Sequence, residues 1–187
     1  MKGGDAARTG FRFSPCSMQK MNYADYKKFD FLNGTGIRHS LFVSGCHFHC
    51  KGCWNAVAWN PRFGEPYTDK FEDQIIADLN QPDVRVQGLS LLGGEPFDHP
   101  TTLTHLVKRV NRECQGKDIW CWTGFRFEHL LEDPERREML NHLDVLVDGQ
   151  FDIAKRNLKL KFRGSSNQRV IDVKKSLENK KVVLLFR

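Results

Sequence analysis

Cys46, Cys50 and Cys53 fall within eight positions in "CHFHCKGC", separated by three residues and then by two. Three thiolates at that spacing in a loop can converge on one metal centre, and two kinds of centre suit them. Structural zinc is almost always four-coordinate, so it would need a fourth ligand, which His47 or His49 would supply. A 4Fe-4S cluster usually takes four cysteines. With three, one iron stays open to a substrate, just as an open position separates catalytic from structural zinc. The other cysteines do not complete a set of four. Cys16 stands in an aperiodic stretch, while Cys114 at a helix end and Cys121 inside a strand-like run read as small core or boundary residues.

A metal loop needs a rigid frame, and hydrophobic periodicity outlines one. The run "IRHSLFV" at 37–43 predicts a strand. "DKFEDQIIADLN" at 69–80 puts Phe71, Ile75, Ile76 and Leu79 on one helical stripe, with Asp69 and Glu72 at capping-box spacing. "VQGLSLL" at 86–92 predicts a second strand, "TTLTHLVKRVNREC" at 101–114 a helix through Leu103, Leu106, Val107 and Val110, and "DIWCWT" at 118–123 a third strand. A helical stretch broken near Pro134 precedes a fourth strand, "LDVLVD" at 143–148. Strands alternating with helices imply parallel βαβ units with right-handed crossovers. A complete eight-unit barrel takes about 250 residues, more than the 187 present. The expected class is α/β, an incomplete, laterally open parallel (β/α) barrel.

Ligands of parallel β/α folds gather at the carboxyl ends of the strands. The cysteine loop follows the first predicted strand, "GGEP" (Gly93, Gly94, Glu95, Pro96) the second, "TGF" from Thr123 the third and "DGQF" from Asp148 the fourth. All four unusual segments therefore land at one end. Paired glycines let a backbone approach a ligand closely, although they are also ordinary turn residues. Thr123 and Asp148 are candidates for lining the same pocket, with capping and turn chemistry as the plainer reading. The four tryptophans read as packing residues.

Composition narrows the classes. Residues 1–20 are rich in Gly, Ser and basic residues without periodicity and read as a flexible N-terminal extension, with 21–187 as one domain. No signal-like apolar region opens the chain, and six cysteines are too few for a secreted disulfide framework, which points to a reducing, cytoplasmic setting. "VVLLF" at 182–186 is far shorter than the roughly 20 residues a membrane helix needs. The net charge of +6 and pI near 9.1 would suit an acidic partner. Spread among 23 acids, however, the basic residues favour a solvated surface over nucleic-acid binding.

The CxxxCxxC of Cys46, Cys50 and Cys53, followed by the GGE of Gly93 to Glu95, resembles the radical S-adenosylmethionine superfamily. Within it, "NGTGIRHSLFVSGCHFHCKGCWN", "VLVDGQF" and "FRGSSNQRVIDV" resemble the activators of anaerobic ribonucleoside-triphosphate reductase, over roughly 22–173. That resemblance implies a 4Fe-4S cluster on the three cysteines, with S-adenosylmethionine chelating the fourth iron beside Gly93, Gly94 and Glu95. It also implies reductive cleavage to a 5'-deoxyadenosyl radical, which abstracts hydrogen from a glycine of the reductase's large, glycyl-radical subunit. A flavodoxin-type protein is the implied electron donor. Many superfamily members carry an aromatic residue before the third cysteine. Here that position is Gly52 and Trp54 follows, as in the activator branch, and there is no cysteine cluster for an auxiliary iron-sulfur domain.

Two other functions stay open on the residues alone: a small radical S-adenosylmethionine enzyme acting on a purine- or pterin-like molecule, and a non-enzymatic zinc-binding module. "RGSSNQR" at 163–169 would hold an anion, contact the reductase or form a hydrogen-bonded turn.

Overall fold

The structure, a computed structural model, describes residues 21–186. The extension expected at 1–20 lies outside the described residues. Seven strands form one sheet: β1 (Asn22–Asp30), β2 (Arg38–Val43), β3 (Glu65–Pro66), β4 (Gly88–Gly93), β5 (Asp118–Trp122), β6 (Val145–Asp148) and β7 (Arg169–Asp172), in the order β3-β1-β2-β4-β5-β6-β7. The helices are α1 (Asp69–Leu79), α2 (Pro100–Glu113), α3 (Phe127–Glu132), α4 (Pro134–Leu140) and α5 (Val173–Asn179).

The four strands expected from periodicity, β2, β4, β5 and β6, are mutually parallel and adjacent. The sheet as a whole is mixed, which corrects the all-parallel expectation. β1 pairs antiparallel with β2, and β7 pairs antiparallel with β6. The seven residues between β1 and β2 are too few for the crossover that a parallel pair requires, so the chain folds straight back. The sheet is open, with β3 at one edge and β7 at the other. The fold is thus α/β with a mostly parallel, unclosed sheet.

Alternation along each strand divides the side chains between two faces. Leu41, Leu89, Leu91, Ile119 and Cys121 pack into a continuous core with Ile75 and Leu79 of α1, Leu103, Leu106 and Val110 of α2, and Met139 and Leu140 of α4. The opposite face carries a much smaller cluster of Trp120, Val145, Val147 and Val170, with Trp122, Phe162 and Phe186 packed against it. Thr68 caps α1, its side chain accepting from the amide of Phe71, so the start lies one residue earlier than the Asp69–Glu72 spacing suggests. Glu72 is instead buried under Arg109 and the Tyr67 hydroxyl. Pro134 opens α4 as its first residue, which is why the helical stretch breaks there. Among the described residues no helix is long and apolar enough to cross a membrane.

Candidate metal centre

Strand register fixes which residues can meet. Val43 of β2 stands beside Gly93 of β4, and Trp122 of β5 beside Val147 of β6, so these chains leave the sheet side by side. A cavity of about 150 Å³ lies over their ends. Its walls include Cys46, Cys50, Cys53, Gly93, Gly94 and Glu95, together with Thr123 and Gly149.

The thiol loop and the glycine turn are built against each other. The amide of Gly94 donates to Val43 O, and that of Glu95 to Gly45 O, both at 2.7 Å. Gly45 N donates to Ala58 O at 2.8 Å and Cys46 N to Trp59 O at 3.3 Å, which holds the loop from its other side. No side chain fits between the two segments. A Cβ on Gly94 would sit 2.3 Å from Gly45 O, and one on Gly93, whose φ of +109° already favours glycine, 2.7 Å from the Cα of Phe42.

Glu95 is almost wholly buried and braces the next strand end. Its carboxylate accepts from Thr123 Oγ1 at 2.8 Å, Gly124 N at 2.7 Å and Phe97 N at 2.9 Å. Burial pushes its pKa up to about 7, against the pull of those three donors. The Thr123 hydroxyl in turn accepts from Phe125 N at 3.0 Å, so turn chemistry occupies it while the residue still lines the cavity.

Asp148 is placed differently from its neighbours. Its fully buried carboxylate faces Arg169 and also accepts from Phe127 N at 2.8 Å. The adjacent Gly149, not Asp148, forms the cavity wall. Gln168, offered by the sequence only as part of "RGSSNQR", is the bracket on this side. Its Oε1 accepts from Gly164 N and Ser165 N, and its Nε2 donates to Gly149 O at 2.9 Å. "RGSSNQR" is therefore a hydrogen-bonded turn that shapes the cavity. The presence of an amide side chain among small residues was the available signal.

The donor set suits an iron-sulfur group. All three cysteines are half-buried and free of disulfides. The Cys46 sulfur is approached by the amides of Phe48 and His49, and Cys53 Sγ accepts from Asn55 N at 3.4 Å. Such N–H donors favour sulfur that carries negative charge. Burial nevertheless raises the Cys46 thiol to about 11, so loading a metal there must displace its proton. The wall also contains Trp59, whose indole N–H is buried without a partner, an unused donor. The thiols ring the cavity instead of meeting at a point: among the described residues no three His, Cys, Asp or Glu side chains gather as ligands of one metal ion. Neither imidazole is in the wall. His47 Nδ1 lies 2.8 Å from Asp98 Oδ1, and the His49 ring lies against Trp59.

A family described as a 4Fe-4S single cluster domain matches residues 32–171, which include every wall residue named above. A protein of Pasteurella multocida (strain Pm70) is 45% identical over 151 residues, covering 79% of this chain and 95% of its own length, and bears the name anaerobic ribonucleoside-triphosphate reductase-activating protein. The chain belongs to this activating-protein family. A Vibrio cholerae member (strain ATCC 39315 / El Tor Inaba N16961) is 46% identical over 79% of this chain and 96% of its own. The member from Enterobacteria phage T4 is 39% identical over 80% and 93% respectively. The 4Fe-4S domain match supplies the iron-sulfur assignment, and the geometry above supplies the residues available to it.

Proposed function

We propose that this protein activates anaerobic ribonucleoside-triphosphate reductase through a 4Fe-4S cluster and S-adenosylmethionine. When bound, these groups supply one-electron cleavage of the sulfonium to methionine and a 5'-deoxyadenosyl radical, which takes a hydrogen atom from a glycine of the reductase. The observation that carries the reading is the meeting of three thiols with the Gly93-Gly94-Glu95 turn round one cavity.

Each wall residue has a task in this reading. Cys46, Cys50 and Cys53 hold the cluster and leave one iron open. The amides of Gly94 and Glu95 are already used by the end of β2 and by Gly45, so Gly94 has only its carbonyl oxygen to offer, an acceptor suited to the amino group of S-adenosylmethionine. Glu95 and Thr123 keep that turn against the end of β5, and Asp148 acts through Gly149. The sheet face opposite the helices, with its sparse cover, serves as the inside of an incomplete, laterally open (β/α) barrel within a single domain spanning 21–187. Apolar walls there exclude water from a reactive species. A flavodoxin-type electron donor and a cytoplasmic setting complete the proposal.

The test is anaerobic. Protein reconstituted with iron and sulfide is reduced, its electron paramagnetic resonance spectrum recorded with and without S-adenosylmethionine, and 5'-deoxyadenosine assayed. The expected result is a reduced 4Fe-4S signal that changes on adding the cofactor, with cleavage product and, once reductase is added, a glycyl radical on it. Tightly bound zinc with no sulfide would refute the reading.

A further inference from the structure

Phe42, Leu92 and Trp122 form a row across β2, β4 and β5, each one residue after a partner in the pairs Leu41↔Leu91 and Leu91↔Cys121. Those partners are buried in the helix-covered core, so the row turns to the opposite face. It floors an open groove of about 460 Å³ that also reaches Cys50, Cys53 and Gly93. Groove and metal centre are thus continuous. At the rim Leu32, Trp54 and Leu158 are each more than 70% exposed. Apolar side chains gathered at the mouth of a groove, unlike apolar residues scattered singly, mark an interaction site.

One wall of the groove is the stretch "IAKRNLKLKFR" from Ile153 to Arg163, which packs as a strap beside the sheet. An Arg156–Ser165 bridge and the bond from Asn157 N to Gly164 O, 3.1 Å, pin its base. Trp122 Nε1 donates to Phe162 O at 2.8 Å, and the Phe162 ring meets Trp120 edge-on at 5.1 Å, which pins its far end. Leu158, Leu160 and Phe162 line the groove, while Lys159 and Lys161 between them are exposed and form no ion pair among the described residues. The strap carries five of the chain's 29 basic residues and none of its 23 acidic ones, so the remainder of the chain is close to neutral. Of these five, Arg163 lines the groove, Lys155 pairs with Asp152, and Lys159 and Lys161 stand exposed beside it.

We propose that the strap is a recognition surface for a protein segment bearing acidic side chains beside an apolar anchor. Resting on the function proposed above, the segment belongs to the reductase and leads its target glycine along the groove to the metal centre. Charge complementarity favours an acidic occupant, and the alternation of lysine with leucine and phenylalanine calls for apolar side chains as well. Nucleic acid fits less well. Its interfaces are more polar and wetter than this groove, and the Arg156 guanidinium, 4.8 Å from the centroid of the Trp54 ring, already covers the exposed aromatic face on which a base would stack.

The experiment measures association of the cluster-loaded protein with the glycyl-radical subunit of the same organism's anaerobic reductase, at low and high salt. The Lys159→Glu/Lys161→Glu variant is expected to associate at least about tenfold more slowly at low salt, with the gap narrowing at high salt. Leu158→Ser is expected to dissociate faster with little change in association rate. Uncoupled 5'-deoxyadenosine formation without reductase is unchanged in the charge variant, since neither lysine touches the thiol cavity. Unaltered association and salt dependence overturn the proposal. So does a charge variant that loses only single-stranded nucleic-acid binding, or only self-association. Strap-dependent binding by a protein that cleaves no cofactor upholds the docking surface and removes the proposed chemistry. Cofactor cleavage without strap-dependent binding does the reverse.

Discussion

Replacing Gly94 by alanine tests the closest contact in the molecule's working end. The new methyl would stand 2.3 Å from Gly45 O, where both parties are backbone and neither can rotate away. Relief requires the two segments to part by about 0.7 Å or more, an overpacking strain of about 1–3 kcal/mol. In a chain of this size that lowers Tm by about 3–10 °C. Gly45 directly precedes Cys46, so the displacement reaches the thiol loop as well as the glycine turn. Misplacement of about 1 Å at a reacting centre costs about a hundredfold in rate. The assay is a set of three measurements on one anaerobic preparation: iron and sulfide per chain, S-adenosylmethionine affinity, and 5'-deoxyadenosine formed. All three are expected to fall. Gly116→Ala is the control for a glycine-to-alanine change without a clash, because nothing lies within 4 Å of its Cβ position, although its positive φ, which Gly94 does not share, adds a backbone strain of its own. It should lose about 1 kcal/mol of stability and keep the site intact. A Gly94→Ala protein with unchanged Tm, full iron and normal affinity would refute the close packing and the cradle built on it.

Cys50→Ala is expected to retain no 4Fe-4S cluster after reconstitution, read by iron, sulfide and the visible spectrum, with little change in the thermal stability of the metal-free chain. Burial lets Glu95 hold its proton to about pH 7 in the folded protein, against an ordinary value of 4.5. The folded state thus binds more protons between these limits, and metal-free stability should fall by about 3 kcal/mol as pH rises through that window, then level off. Denaturant titrations of wild type and Glu95→Gln should differ by this slope, and identical pH profiles would show that Glu95 does not titrate there. Asp148→Ala removes a buried acceptor of Arg169 and Phe127 N while Arg169 keeps its pair with Glu128, and should cost about 1–3 kcal/mol. Asp148→Asn separates bracing from direct cofactor contact, since loss of cofactor affinity at full stability would return the carboxylate to the pocket.

The parallel centre of the sheet was legible because its strands are apolar runs separated by amphipathic helices, and β2, β4, β5 and β6 fall within about two residues of expectation. β1 was not, because "NYADYKKFD" is half-exposed and polar, with its pairing shifted between Tyr23 and Asp25 and again between Lys27 and Asp30. β7 is four residues long and draws its identity from pairing with β6, a long-range fact that no local pattern contains. The placing of cysteines, glycines and Thr123 at one end followed from strand direction alone. Asp148 shows where that rule stops: it fixes the position of a residue and not the direction of its side chain, which two arginines and a helix amide decide. The five basic residues of 153–163 were read in the sequence only as part of a spread of charge. Their meaning depended on the groove, which exists only once the strands are side by side.

The contact between Gly45 and Gly94 also has a thermodynamic face. With no side chain between them, the segment that carries the thiols and the segment offered to the cofactor cannot settle independently. Any group that orders one must order the other, and the coupling is reciprocal by necessity. Filling the metal centre should raise cofactor affinity by the same factor by which cofactor slows metal loss. On the function proposed above, a chain that lost its metal would then lose its cofactor affinity at the same time.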